Sequence, residues 1–101
     1  MPLTKKYSKD KTTCTVGFSL PEEATAGAKK LFLAGEFNDW SATATPMRKA
    51  KGAFRVSLEL AAGMPYQYRY VTEAGVWLND IEADCYVFSV FADADNSVVV
   101  I

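Results

Sequence analysis

Two stretches of this chain alternate apolar and polar residues with a period of two, and that pattern narrows the fold more than any other feature. From Thr13 to Leu20 the apolar residues Cys14, Val16, Phe18 and Leu20 interleave with Thr13, Thr15, Gly17 and Ser19. Further on, Phe54, Val56, Leu58 and Leu60 interleave with Arg55, Ser57 and Glu59. Side chains alternate across a strand, so each stretch predicts a strand with one buried and one wet face. Pro21 ends the first, because proline cannot donate to a sheet ladder. Lys30 to Ala34 is a nearly continuous apolar run and predicts a central strand covered on both faces. Short strands are expected at 47–51 and 76–78, and a closing one at 97–101. Residues 66–72 are rich in β-formers, with Tyr66, Tyr68 and Tyr70 on one face and Gln67, Arg69 and Val71 on the other. Glu73-Ala74-Gly75 reads as the hairpin connection to the strand that begins near Trp77.

About seven short strands, turn signals between them and no long amphipathic helix predict an all-β chain, an immunoglobulin-like β-sandwich. Its 101 residues are room for one domain. Residues 1–11 are expected to form a flexible N-terminal arm, and 12–101 the sandwich. Residues 21–29 suit a loop with one helical turn, and Asn79–Asp95 is less regular.

Composition excludes several kinds of function. The net charge is −1, whereas non-specific nucleic-acid binding needs a surplus of positive charge. Lys5, Lys6, Lys9 and Lys11 read as a solvated basic arm, so no nucleic-acid partner is expected. The first ten residues hold no apolar core of signal-peptide length and no run reaches transmembrane length. A cytoplasmic protein with no membrane partner is the resulting expectation, with Cys14 and Cys85 as buried thiols. There is no histidine, which removes His-dependent nucleophile systems and the commonest zinc ligand. Asp80, Glu82 and Asp84 are close enough in sequence to suggest a glycosidase pair, yet a small sandwich offers no deep cleft to hold substrate between them. Asp93-Ala-Asp95-Asn96-Ser97 lacks the central glycine of a calcium loop. The expectation is a protein that is not an enzyme and needs no cofactor or metal.

Trp40 and Trp77 are the residues that stand out. Trp40 lies in a polar turn and Trp77 just after a hairpin. Either one suits a plug at the end of the sandwich; both also suit flat apolar platforms for a sugar ring, whose face of C–H bonds matches an indole. Arg69 leads into the hairpin of Trp77. It reads either as a surface charge or as a donor to sugar hydroxyls.

An ordered series runs through Leu33-Ala-Gly-Glu-Phe-Asn-Asp-Trp40, Thr45-Pro-Met47, Tyr66-Gln-Tyr-Arg-Tyr-Val71, Gly75-Val-Trp-Leu-Asn-Asp80 and Asp95-Asn-Ser-Val-Val-Val100. The series resembles the family 48 carbohydrate-binding modules, over residues 12–101. The resemblance implies an early-set sandwich that binds α-1,4/α-1,6-glucans such as glycogen, starch or maltooligosaccharides without catalysis. It also implies an enzyme of glycogen metabolism as a partner. It assigns sugar contacts to Trp40, Trp77, Arg69 and Asn96, with Arg69 where the kinase-type modules carry lysine. The rival expectation is a protein-interaction or scaffold module of the same fold that has lost the sugar site and pairs through an exposed edge such as the final strand.

Overall fold

A computed structural model describes residues 3–25, 27–90 and 94–101. Nine strands form among them: β1 (Thr4–Tyr7), β2 (Thr13–Pro21), β3 (Leu31–Gly35), β4 (Arg48–Ala50), β5 (Ala53–Ala61), β6 (Pro65–Thr72), β7 (Trp77–Leu78), β8 (Cys85–Ser89) and β9 (Ala94–Val100). They build two antiparallel sheets, ordered β1-β2-β5-β4 and β3-β6-β9-β8, with β7 paired to β6 beyond the end of β9. The two sheets make the immunoglobulin-like sandwich that the alternation predicts.

The alternation itself builds the core. Cys14, Val16, Phe18 and Leu20 of β2 lie opposite Leu60, Leu58, Val56 and Phe54 of β5, so all eight share one face. The second sheet meets them with Leu31, Leu33, Tyr68, Tyr70 and Val99. Burying a large side chain of this kind contributes roughly 1.5–3 kcal/mol. Phe18 packs edge-on to Tyr68, which in turn packs edge-on to Tyr70.

Three features differ from the sequence reading. Part of the expected arm, Thr4–Tyr7, is an edge strand on β2. All four of its residues are exposed, so no hydrophobic period announces it; the β2 ladder and a 2.7 Å ion pair from Lys5 to Asp84 hold it. The Asp10 side chain closes the turn that follows, and its hydrogen bonds from Ser8 and Thr12 lower its pKa to about 2.

Lys30–Ala34 is not central: β3 ends its sheet. Its outer edge is nonetheless occupied, because Leu33 N–H donates to Thr45 C=O and Met47 N–H donates to Leu31 C=O. All of β3 but the half-buried Phe32 is buried, although only one ladder is complete. Finally, the closing strand is no edge. β9 runs between β6 and β8, and among the described residues the outermost strand on that side is β8, within a stretch read as irregular.

Candidate functional site

The face of the second sheet that points away from the core carries the candidate site. Tyr66, Tyr68 and Tyr70 turn inward, so Gln67, Arg69 and Val71 turn outward. Residues directly opposite on antiparallel strands share a face. Trp77 lies opposite Val71 and joins that face. Gln67 lies opposite Val98, and Asn96, two residues before Val98, joins it as well. Val87 lies opposite Asn96, which brings Ser89 to the same side. With Glu36 and Trp40 from the loop after β3, these elements line an open groove of about 710 Å³.

Trp40 reaches the groove because of the string Gly35-Glu-Phe-Asn-Asp-Trp40. Gly35 ends β3 where a Cβ would lie 2.6 Å from the Gln67 carbonyl oxygen and 2.7 Å from Phe37 Cζ. Phe37 turns inward and packs 5.8 Å from Phe18 and 6.2 Å from Tyr66, centroid to centroid. Asn38 ties the loop down: Oδ1 accepts from Gly35 N–H, and Nδ2 donates to Leu33 C=O and to Thr45 Oγ1. Asp39 and Trp40 then adopt left-handed backbone, φ 56° and 58°, which swings the chain around, and Trp40 N–H closes onto Gly35 C=O at 2.9 Å. For a tryptophan this backbone costs on the order of 1 kcal/mol or more, sustained by the Phe37 and Asn38 anchors.

A chain of hydrogen bonds fixes the polar floor of the groove. Arg69 Nε donates to Asn96 Oδ1 at 2.8 Å, and Nη2 donates to Asp95 C=O at 2.6 Å. Asn96 Nδ2 donates to Gln67 Oε1 at 3.0 Å, and the Gln67 backbone N–H donates to Glu36 Oε1 at 2.7 Å. Arg69 is only 9% exposed and Asn96 only 6%, while Trp77 is 39% exposed and Trp40 is half-buried.

Behind this floor, Asn79 donates to the same Asp95 carbonyl and accepts from Ser97 Oγ, which in turn accepts from Asp80 N–H. The buried Asp80 carboxylate receives the hydroxyls of Tyr68 and Tyr70 at 2.7 and 3.1 Å, and Glu82 N–H at 2.9 Å. Burial is the main force holding both phenols well above the usual tyrosine range; Tyr70 and Asp80 add to it at Tyr68, and Asp80 adds to it at Tyr70.

All four residues singled out from the sequence, Trp40, Trp77, Arg69 and Asn96, line this one groove. Neither tryptophan is a core plug, since neither is buried. Glu36, Gln67 and Ser89 were not singled out. The parity of β6 already placed Gln67 beside Arg69; Glu36 and Ser89 had no comparable signal. The carboxylates weighed as a glycosidase pair diverge: Asp80 is buried on two tyrosines, whereas Glu82 and Asp84 are exposed and Asp84 pairs with Lys5. Asp93 of the calcium-like string lies outside the described residues. Among the described residues no group of three or more His, Cys, Asp and Glu is placed to hold a metal ion. Cys14 is a buried thiol as expected, but Cys85, on the outer strand β8, is exposed. Among the described residues no helix is long and apolar enough to cross a membrane.

Two antiparallel sheets packed as a sandwich, one of them bearing an open groove flanked by indoles, define an immunoglobulin-like β-sandwich module. The family model of carbohydrate-binding module 48 (isoamylase N-terminal domain) matches residues 25–87, and the chain belongs to that family. The match takes in Trp40, Arg69 and Trp77 and stops short of Asn96. No curated protein matches the chain.

Proposed function

We propose that this groove binds α-linked glucose polymers, such as glycogen, starch or maltooligosaccharides, and performs no chemistry on them. The observation that carries the reading is that two accessible indoles and a clamped guanidinium line one groove. Trp40 and Trp77 stack on the C–H faces of glucose units, as aromatic rings do on flat ligands. Arg69 donates to sugar hydroxyls, and Asn96 acts chiefly by holding Arg69, since both ends of its amide are engaged. An open site with few desolvated groups predicts a Kd from about 10 µM to the millimolar range.

Titration with maltoheptaose or β-cyclodextrin, followed by tryptophan fluorescence and NMR shifts, tests this. Saturable changes at Trp40 and Trp77 are expected. By analogy with aromatic–base stacking, Trp40→Ala and Trp77→Ala should each weaken binding by about 1–3 kcal/mol. Silence of both indoles at millimolar sugar would end the proposal.

A second reading, a protein-interaction module, draws on a separate place. The outer strand β8 exposes Tyr86, Val87 and Phe88, with Val90 just beyond it. An outer strand of this kind is suited to strand addition. Concentration-dependent sedimentation, or binding of a β-strand peptide that perturbs β8 and leaves the indoles unchanged, would favour it.

A further inference from the structure

Of the two charged side chains in the groove, the negative one is the more exposed. Glu36 is exposed, whereas Arg69 is 9% exposed and has Nε and Nη2 committed to Asn96 and Asp95. Glu36 is also held in place. Its Oε1 accepts from the Gln67 N–H at 2.7 Å, which leaves Oε2 as an acceptor at the groove lip. A carboxylate only accepts hydrogen bonds, so it favours a ligand that brings O–H donors. Gln67 complements it. Its Oε1 is occupied by Asn96, so its amide offers the ligand its N–H groups. The groove thus presents, next to its indoles, a fixed acceptor and a fixed donor, a pair that matches the hydroxyls of a neutral sugar. The same carboxylate opposes an ester anion on the sugar.

We infer that Glu36 and Gln67 form a polar subsite that selects uncharged glucose units, with Glu36 excluding units that carry sulfate or phosphate esters. This rests on the reading of the groove as a glucan site. A unit charge about 4 Å away interacts by about 1 kcal/mol even in water, so one carboxylate is enough to shift selectivity several-fold.

The test compares β-cyclodextrin with β-cyclodextrin sulfated at every O6, using the whole chain and Glu36→Gln. Glutamine keeps an acceptor for the Gln67 N–H, removes the charge and puts an amide donor in place of the Oε2 acceptor. Neutral β-cyclodextrin should bind the variant several-fold more weakly, because it loses the charged acceptor for a hydroxyl, while the sulfated form should gain about fivefold. The gain should shrink between 0.05 and 1 M salt (set by the experimenter), as the Debye length falls to about 3 Å. An unchanged preference between the two ligands in Glu36→Gln, including sulfated ligand that binds neither protein, overturns the inference and leaves glucan binding standing. Failure of neutral β-cyclodextrin and maltoheptaose to bind the original chain defeats the glucan reading and this inference together.

Discussion

The Nε of Arg69 donates to Oδ1 of Asn96 at 2.8 Å, across two neighbouring strands of the groove floor. The two side chains therefore act as one unit. Arg69→Ala and Asn96→Ala should each weaken maltoheptaose binding, and the double variant should lose much less than the sum of the two. A coupling of about 0.5–3 kcal/mol is expected for directly bonded groups. Calorimetric titration of the four proteins measures it; additive losses would mean that the two residues contact ligand independently.

The loop that carries Trp40 depends on close approach and on one amide. Gly35→Ala places a methyl group 2.6 Å from a carbonyl oxygen that the sheet cannot move cheaply, so destabilisation of about 1–3 kcal/mol is expected. Asn38→Ala removes three hydrogen bonds, each worth about 0.5–1.5 kcal/mol, and frees the segment before Trp40. Urea unfolding reads the stability loss. Tryptophan fluorescence anisotropy should report increased motion of Trp40 in Asn38→Ala, with Trp77→Phe as the background that isolates that signal.

Asp80 supports the groove from within the core. Asp80→Ala leaves the Tyr68 hydroxyl without its acceptor and Tyr70 with only a 3.4 Å contact to Ser19 C=O. Buried hydroxyls left in this way cost about 1–3 kcal/mol each. Chemical denaturation should place Asp80→Ala about 2–5 kcal/mol below the original chain on that basis, with Asp80→Asn between them because its amide still satisfies part of the cluster. Equal stability of all three proteins would show that the tyrosines find other partners.

The same tyrosines set the alkaline limit. Their phenols are protonated more tightly when folded than when unfolded, where they ionise near pH 10. The stability they contribute is therefore complete below about pH 10 and falls as the pH rises beyond it. The slope reaches about 1.4 kcal/mol per pH unit for each tyrosine. In an absorbance titration of the five tyrosines, Tyr68 and Tyr70 should ionise only together with unfolding. Two extra phenols titrating in the folded chain near pH 10 would contradict the cluster. Tyr68→Phe should reduce the alkaline slope.

Much of this was legible beforehand because it depends on local pattern. The parity of Cys14 to Leu20 and of Phe54 to Leu60 states which side chains face inward, and a strand has only two faces to choose between. The same rule put Gln67 and Arg69 opposite the tyrosines of β6. Pattern was silent where no face is buried: β1 and β8 are held by main-chain ladders and have no hydrophobic period to display. It also misled at Lys30–Ala34, where a loop rather than a second strand covers the outer edge.

From sequence alone, then, came the inward and outward alternation of β2, β5 and β6, the sandwich class and the choice of two indoles, an arginine and an asparagine as candidates. Their meeting in one groove was decided only by tertiary structure. Trp40, Arg69, Trp77 and Asn96 sit on different segments, and strand register together with the left-handed turn at Asp39–Trp40 brings them to one face. The exposure of Glu36 beside a covered Arg69 is likewise a property of the assembled sheet, because relative burial depends on neighbours that no single segment contains.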